Sequence, residues 1–171
     1  VVSCLEVYAR DLTASATPHR LCGPPTLSVG RIEGGVSVNV VPDACHIEVD
    51  RRVIPGEDPI AVTGAVREYL QSRLDIEFTM DPPWLESGPL GDADNGWLAD
   101  ALLSHAGGAH QKVGVPYGTH ASRTAAVGVP SVVFGPGSIA QAHTKDEFIE
   151  IDQLEQAADV YYQLCAHPPG R

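Results

Sequence analysis

The residues best suited to chemistry lie in one stretch, Gly128–Glu150, which reads GVPSVVFGPGSIAQAHTKDEFIE. His143 stands there beside Thr144, Asp146 and Glu147. An imidazole binds a metal through one neutral nitrogen when the other has a hydrogen-bond acceptor, and Asp146 and Glu147 are near enough in sequence to serve. Gly135-Pro136-Gly137 frees backbone N–H groups to face a small anionic substrate. Zinc takes about four ligands, yet the chain holds no HxH, HxxxH or CxxC pair. On spacing alone His143 is at most a fragment of a metal site, and a surface or anchoring histidine is the plainer alternative.

The elements that would position this imidazole come next. Ser131–Phe134 is short, apolar and β-branched, as a buried strand would be, and Gly-Pro-Gly stops it. A loop launched from a strand end is where sites on α/β sheets are built. Around it, Asp94 or Asn95 caps a helix to about His105, Gln111–Val115 is a short strand, and Tyr117–Thr119 is a polar loop. Ser122–Val127 is helical, and a last helix, Ile151–Cys165, carries Leu154, Ala158, Tyr161 and Leu164 on one face. This half alone buries little for an α/β layer structure.

Upstream, Val1–Leu12 has helical spacing of Val2, Leu5, Tyr8 and Leu12 but no preceding cap, so truncation at the N-terminus is expected. Thr26–Glu33 is strand-like, with Leu27, Val29 and possibly Arg31 opposite Ser28, Gly30 and Ile32. Val36–Val41 leads to Pro42-Asp43, and Ala44–Ile54 alternates Cys45, Ile47, Val49 and Arg51 with His46, Glu48, Asp50 and Arg52. Asp58-Pro59 opens a helix to about Leu74, followed by a short strand, Ile76–Met80. That order is a ferredoxin-like βαββαβ unit lacking its first strand. The Pro- and Gly-rich run Asp81–Gly91 links it to the second unit, giving domains 1–84 and 85–171.

Bulk properties exclude several classes. The 171 residues are 43% hydrophobic, enough for real cores, and a formal charge of −11 argues against nucleic acid or an anionic membrane as partner. No apolar run has transmembrane length and no signal-like start is present. Cys4, Cys22, Cys45 and Cys165 lack zinc spacing and lie in or beside apolar segments, as buried free thiols of a reducing, cytoplasmic compartment would.

Two segments, Gly34–Glu57 (GGVSVNVVPDACHIEVDRRVIPGE) and Gly118–Glu150 (GTHASRTAAVGVPSVVFGPGSIAQAHTKDEFIE), together resemble the dinuclear-zinc hydrolases typified by acetylornithine deacetylase, succinyl-diaminopimelate desuccinylase, aminoacylase and glutamate carboxypeptidase. The resemblance covers nearly the whole chain, in order. It implies a catalytic α/β sandwich domain, present here in part, and a ferredoxin-like lid that makes a homodimer. It also implies two zinc ions, with cobalt or manganese as substitutes, and hydrolysis of a small N-acyl amino acid or dipeptide-like amide. The acetylornithine branch is favoured by GPGSIAQAH.

Carried over residue by residue, the match makes His143 a zinc ligand and Arg52 the lid arginine that pairs with a substrate carboxylate, a task suited to a planar guanidinium. Asn39 matches a lid asparagine that reaches the site, and Gly118, Thr119, Gly135 and Gly137 would line the pocket. Without the resemblance, Arg52 reads as a solvated strand charge or a partner of Asp50, and Asn39 as a turn residue. His120 departs from the pattern, standing where many relatives have an acid, which bears on the substrate. The family's His-x-Asp pair, Glu-Glu segment, remaining acidic ligand and lid histidine have no counterpart here. The expectation is therefore the C-terminal part of such a hydrolase, inactive alone and contributing no complete catalytic set. The alternative is a non-catalytic dimerisation or ligand-binding module derived from that fold.

Overall fold

Asp58 starts a helix by simple local chemistry. Its carboxylate accepts the N–H of Ile60 at 3.0 Å, while Pro59 occupies a first-turn position where no N–H is needed. The computed structural model describes residues 1–84, 86–108 and 110–169. Its elements are α1 (Val2–Ser15), β1 (Thr26–Gly34), β2 (Cys45–Arg52), α2 (Pro59–Arg73), α3 (Gly96–Ala106), α4 (Ala121–Ala126), a 3-10 turn (Ile139–Gln141) and α5 (Ile151–Ala166). The class is mixed α and β. The chain divides into two compact units, Val1–Pro89 with Gly114–Tyr117, and Leu90–Val113 with Gly118–Arg171. Leu85, in the expected link, lies outside the described residues, as do Ala109, Gly170 and Arg171.

The first unit is an antiparallel hairpin packed on two helices. Leu5 from α1, Leu27 from β1, and Val66 and Leu70 from α2 form its buried centre, flanked by Tyr8, Val29, Ile47, Tyr69, Phe78 and Met80. Burial of these side chains holds the unit together, at about 1.5–3 kcal/mol for each large one fully buried. As read from sequence, α1 has no side-chain cap.

The hairpin register corrects one expectation. Val29 faces Val49 and Arg31 faces Glu48, so Gly30 is an extra residue with no partner of its own. A bulge of this kind exchanges the two faces of everything beyond it. Ile32 therefore pairs with Ile47 on the side of Leu27 and Val29, and Arg31 moves to the opposite side, where it meets Glu48 and Glu33. The expected strand Ile76–Met80 is not a strand. It is an extended tail whose Phe78 and Met80 lie on the core and whose Met80 carbonyl accepts from Arg67 at 2.8 Å.

The second unit, among its described residues, contains helices and no strand. Gln111–Val115 and Ser131–Phe134 have no ladder partners among the described residues, so neither expected strand forms. β-branched composition selects an extended backbone, but a strand exists only where a neighbour supplies the other half of each hydrogen bond. The end of the second segment is instead pinned to α5, because the Tyr161 hydroxyl donates to the Phe134 carbonyl at 2.7 Å. The two rings meet edge to face at 5.4 Å.

Three smaller corrections follow from packing. α5 buries Ala157 and Val160, leaving Leu154, Ala158 and Tyr161 exposed, so the buried stripe is one residue out of step with the expected one. Asn95 precedes α3 without a side-chain cap bond; its amide donates to the carbonyls of Gly91 (2.9 Å) and Ser131 (2.7 Å) and ties two loops together. The four cysteines form no disulfide, but Cys22, Cys45 and Cys165 are exposed rather than buried.

Candidate functional site

Strand alternation places Arg51 and Arg52 on opposite faces of β2, and their environments differ accordingly. Arg51 points inward opposite Leu27 and forms a two-pronged pair with Glu57, at 3.2 and 2.5 Å. Their side chains are only 11% and 22% exposed. The same carboxylate accepts the N–H of Ile54 at 2.9 Å, closing the Pro55-Gly56 turn, and Arg51 also donates to the Arg52 carbonyl. This clasp fixes the end of β2. Sequence reading missed it, although the acid placed six residues after an inward-facing arginine was the available signal.

Arg52 lies on the outer face, half exposed. Its Nε donates to Asp50 at 2.7 Å and one terminal nitrogen donates to the Pro116 carbonyl at 3.0 Å. Both neighbours hold the guanidinium plane in place, and among the described residues its Nη2 has no protein partner. The bland reading of Arg52 as a partner of Asp50 is thus correct as far as it goes. It leaves donors free for an anion.

His143 is presented by a loop braced at several points. Gly137, at φ 93°, donates its N–H to the side chain of Gln153 on α5 at 2.9 Å. Ser138 accepts from Ala140 to start the 3-10 turn, and the Thr144 hydroxyl donates to the Gln141 carbonyl at 2.7 Å. His143 itself has φ 60°, and its N–H donates to Glu147 Oε2 at 3.0 Å. Two expectations change here. The Gly137 N–H is taken by Gln153, so it does not face a ligand, and Glu147 holds the backbone of His143 rather than its ring. No signal in the sequence marked Gln153.

The remaining candidates are placed as follows. Asn39 is exposed in the loop joining β1 to β2, where the Ser37 hydroxyl donates to it at 2.6 Å. That loop also exposes Val36, Val38 and Val41. Thr119 starts α4: its hydroxyl accepts from the Ala121 N–H at 3.2 Å and its carbonyl from the Ser122 hydroxyl at 3.1 Å. His120 follows, exposed, as the helix cap residue. Gly118 and Gly135 are exposed with open space where a side chain would stand. Among the described residues no hydrogen bond joins His143 to Gly118, Thr119, Gly135 or Gly137. Asn39 and Arg52 belong to the first unit; the others belong to the second.

Among the described residues, no group of three or more His, Cys, Asp or Glu side chains could hold a metal ion. His143 offers one exposed imidazole with no neighbouring ligand, which does not amount to a metal site. No helix among the described residues is long and apolar enough to cross a membrane.

Residues 8–76, most of the first unit, match the peptidase dimerisation domain. Across 84% of its length the chain is 34% identical to an acetylornithine deacetylase of Myxococcus xanthus. It is 33% identical, over 75% of its length, to an N-acetyl-L-citrulline deacetylase of Xanthomonas campestris. A Mycobacterium tuberculosis protein carried under the name succinyl-diaminopimelate desuccinylase is 33% identical over 94%. The chain spans 39%, 36% and 43% of the lengths of these three relatives. The hairpin-and-helix unit with its dimerisation-domain match, continued by similarity through the His143 loop, shows that this chain belongs to the amidohydrolase family of acetylornithine deacetylase and succinyl-diaminopimelate desuccinylase.

Proposed function

We propose that the protein containing this chain hydrolyses the amide bond of small N-acyl amino acids or dipeptide-like substrates, with acetylornithine-type substrates favoured. The observation that carries this reading is the similarity to a desuccinylase over 94% of the chain, and to two deacetylases over 84% and 75% of it. In this proposal Arg52 binds the substrate carboxylate with the donors that Asp50 and Pro116 leave free. Asn39, Gly118, Thr119, Gly135 and Gly137 border the substrate. His143 is one ligand of a zinc pair whose other ligands lie outside this chain; when bound, such a pair polarises the scissile carbonyl and activates water. Alone, this chain is catalytically inactive.

The dimerisation-domain match supports a second role, pairing of two copies through the first unit. A non-catalytic dimerisation module would keep that role without the chemistry. One set of assays separates the two. The longer gene product is expected to release acid from N-acetylornithine or a related N-acyl amino acid, to lose that activity on chelation, and to regain it with zinc, cobalt or manganese. Arg52→Ala is expected to lower kcat/KM by roughly thirtyfold, about 2 kcal/mol for a lost charge-assisted hydrogen bond, mainly through KM. No hydrolysis of any N-acyl amino acid or dipeptide would sink the enzyme reading, and undiminished activity after chelation would sink the metal.

A further inference from the structure

We infer that Glu147 is the positioning residue of His143: its carboxylate holds the histidine backbone in a left-handed conformation and thereby sets the direction in which the imidazole leaves the loop. His143 is the one non-glycine residue with positive φ among the described residues, at 60°. That conformation crowds the Cβ of an L-residue against its own carbonyl and is left to glycine wherever the side chain is dispensable. The same loop uses glycine at its other positive-φ position, Gly137. A histidine kept at this point needs compensation, and the hydrogen bond from its N–H to Glu147 Oε2 at 3.0 Å supplies it.

The surrounding bonds show why one contact suffices. On the upstream side the Thr144 N–H and hydroxyl both return to the Gln141 carbonyl, closing a turn around His143. Farther back, Gln153 holds Gly137. Glu147 ties the downstream arm of the loop to the residue at its tip. Among the described residues neighbouring Asp146 makes no such bond, so the task falls to Glu147. The inference rests on the proposed ligand role of His143 only for what the imidazole does; the backbone clasp stands without it.

The test uses the isotope-labelled 171-residue chain. Positive φ brings the amide and α protons of one residue close together, giving a strong intraresidue nuclear Overhauser effect at His143. That effect is expected to be strong in the native chain and in Glu147→Gln, which keeps an acceptor oxygen at the same reach. It is expected to fall several-fold in Glu147→Ala, with the amide spectrum outside residues 137–150 unchanged. Loss in both variants also supports the clasp and assigns it to the negative charge. A strong effect that persists in Glu147→Ala overturns the inference. The ligand role is read separately, from the metal content of the longer gene product carrying His143→Ala. Unchanged metal content there removes the ligand reading and leaves the backbone result as it stands.

Discussion

Leu5→Ala is expected to lower the stability of the first unit by about 3 kcal/mol, within the roughly 2–5 kcal/mol range of buried leucine truncations. Leu5 is 1% exposed and sits where α1 meets β1 and α2. The buried centre of that core is only four residues, so a lost isopropyl group removes contacts that no neighbour can replace. For a unit of this size the midpoint temperature should fall by more than about 10 °C. The Tyr8–Tyr69 edge contact, with ring centroids 4.8 Å apart, is a local reporter in near-ultraviolet circular dichroism during denaturant unfolding. A loss below about 1 kcal/mol would show that the helices and hairpin do not share one core.

Glu57→Ala should cost nearly as much, about 3 kcal/mol, for a different reason. The carboxylate neutralises an inward-pointing guanidinium and closes the turn after β2 through the Ile54 N–H. Removing it leaves Arg51 mostly buried without a counter-charge, and Arg51 Nε already has no hydrogen-bond partner. Breaking one side of a buried pair costs roughly 3–5 kcal/mol, and partial exposure of Glu57 keeps the expected value at the low end. Replacing both groups tells the two contributions apart. Arg51→Met combined with Glu57→Gln should recover most of the loss, because no unpaired charge remains and the Ile54 N–H keeps an acceptor. Equal losses in the single and double variants would mean that the intact ion pair, and neither the turn bond nor relief of an unpaired charge, does the stabilising.

Sequence reading succeeded where the cause of structure is local. Asp58-Pro59 announces its helix because cap and first turn are adjacent residues. The two strands of the hairpin, and the alternation of β2 that separates Arg51 from Arg52, are legible because one face is covered by helices. Failures came where the cause is a partner. Ser131–Phe134 has strand composition and remains unpaired; Asn95 is a good cap residue recruited instead by the nearby Gly91 carbonyl and the distant Ser131 carbonyl. On α5, Ala157 and Val160 are buried in place of larger neighbours because of what packs there. For the candidate site, residue types named His143, Arg52 and Glu147, but not that the carboxylate would reach the backbone. Such a bond depends on a positive φ that only coordinates display.

The unpaired Gly30 gives the hairpin one position of slack. Because it is supernumerary, deleting it would leave Arg31 opposite Glu48 and Ile32 opposite Ile47, each side chain beyond it on its present face. Descendants of this sequence that shorten β1 by that single position would lose the local bend and keep the pairing.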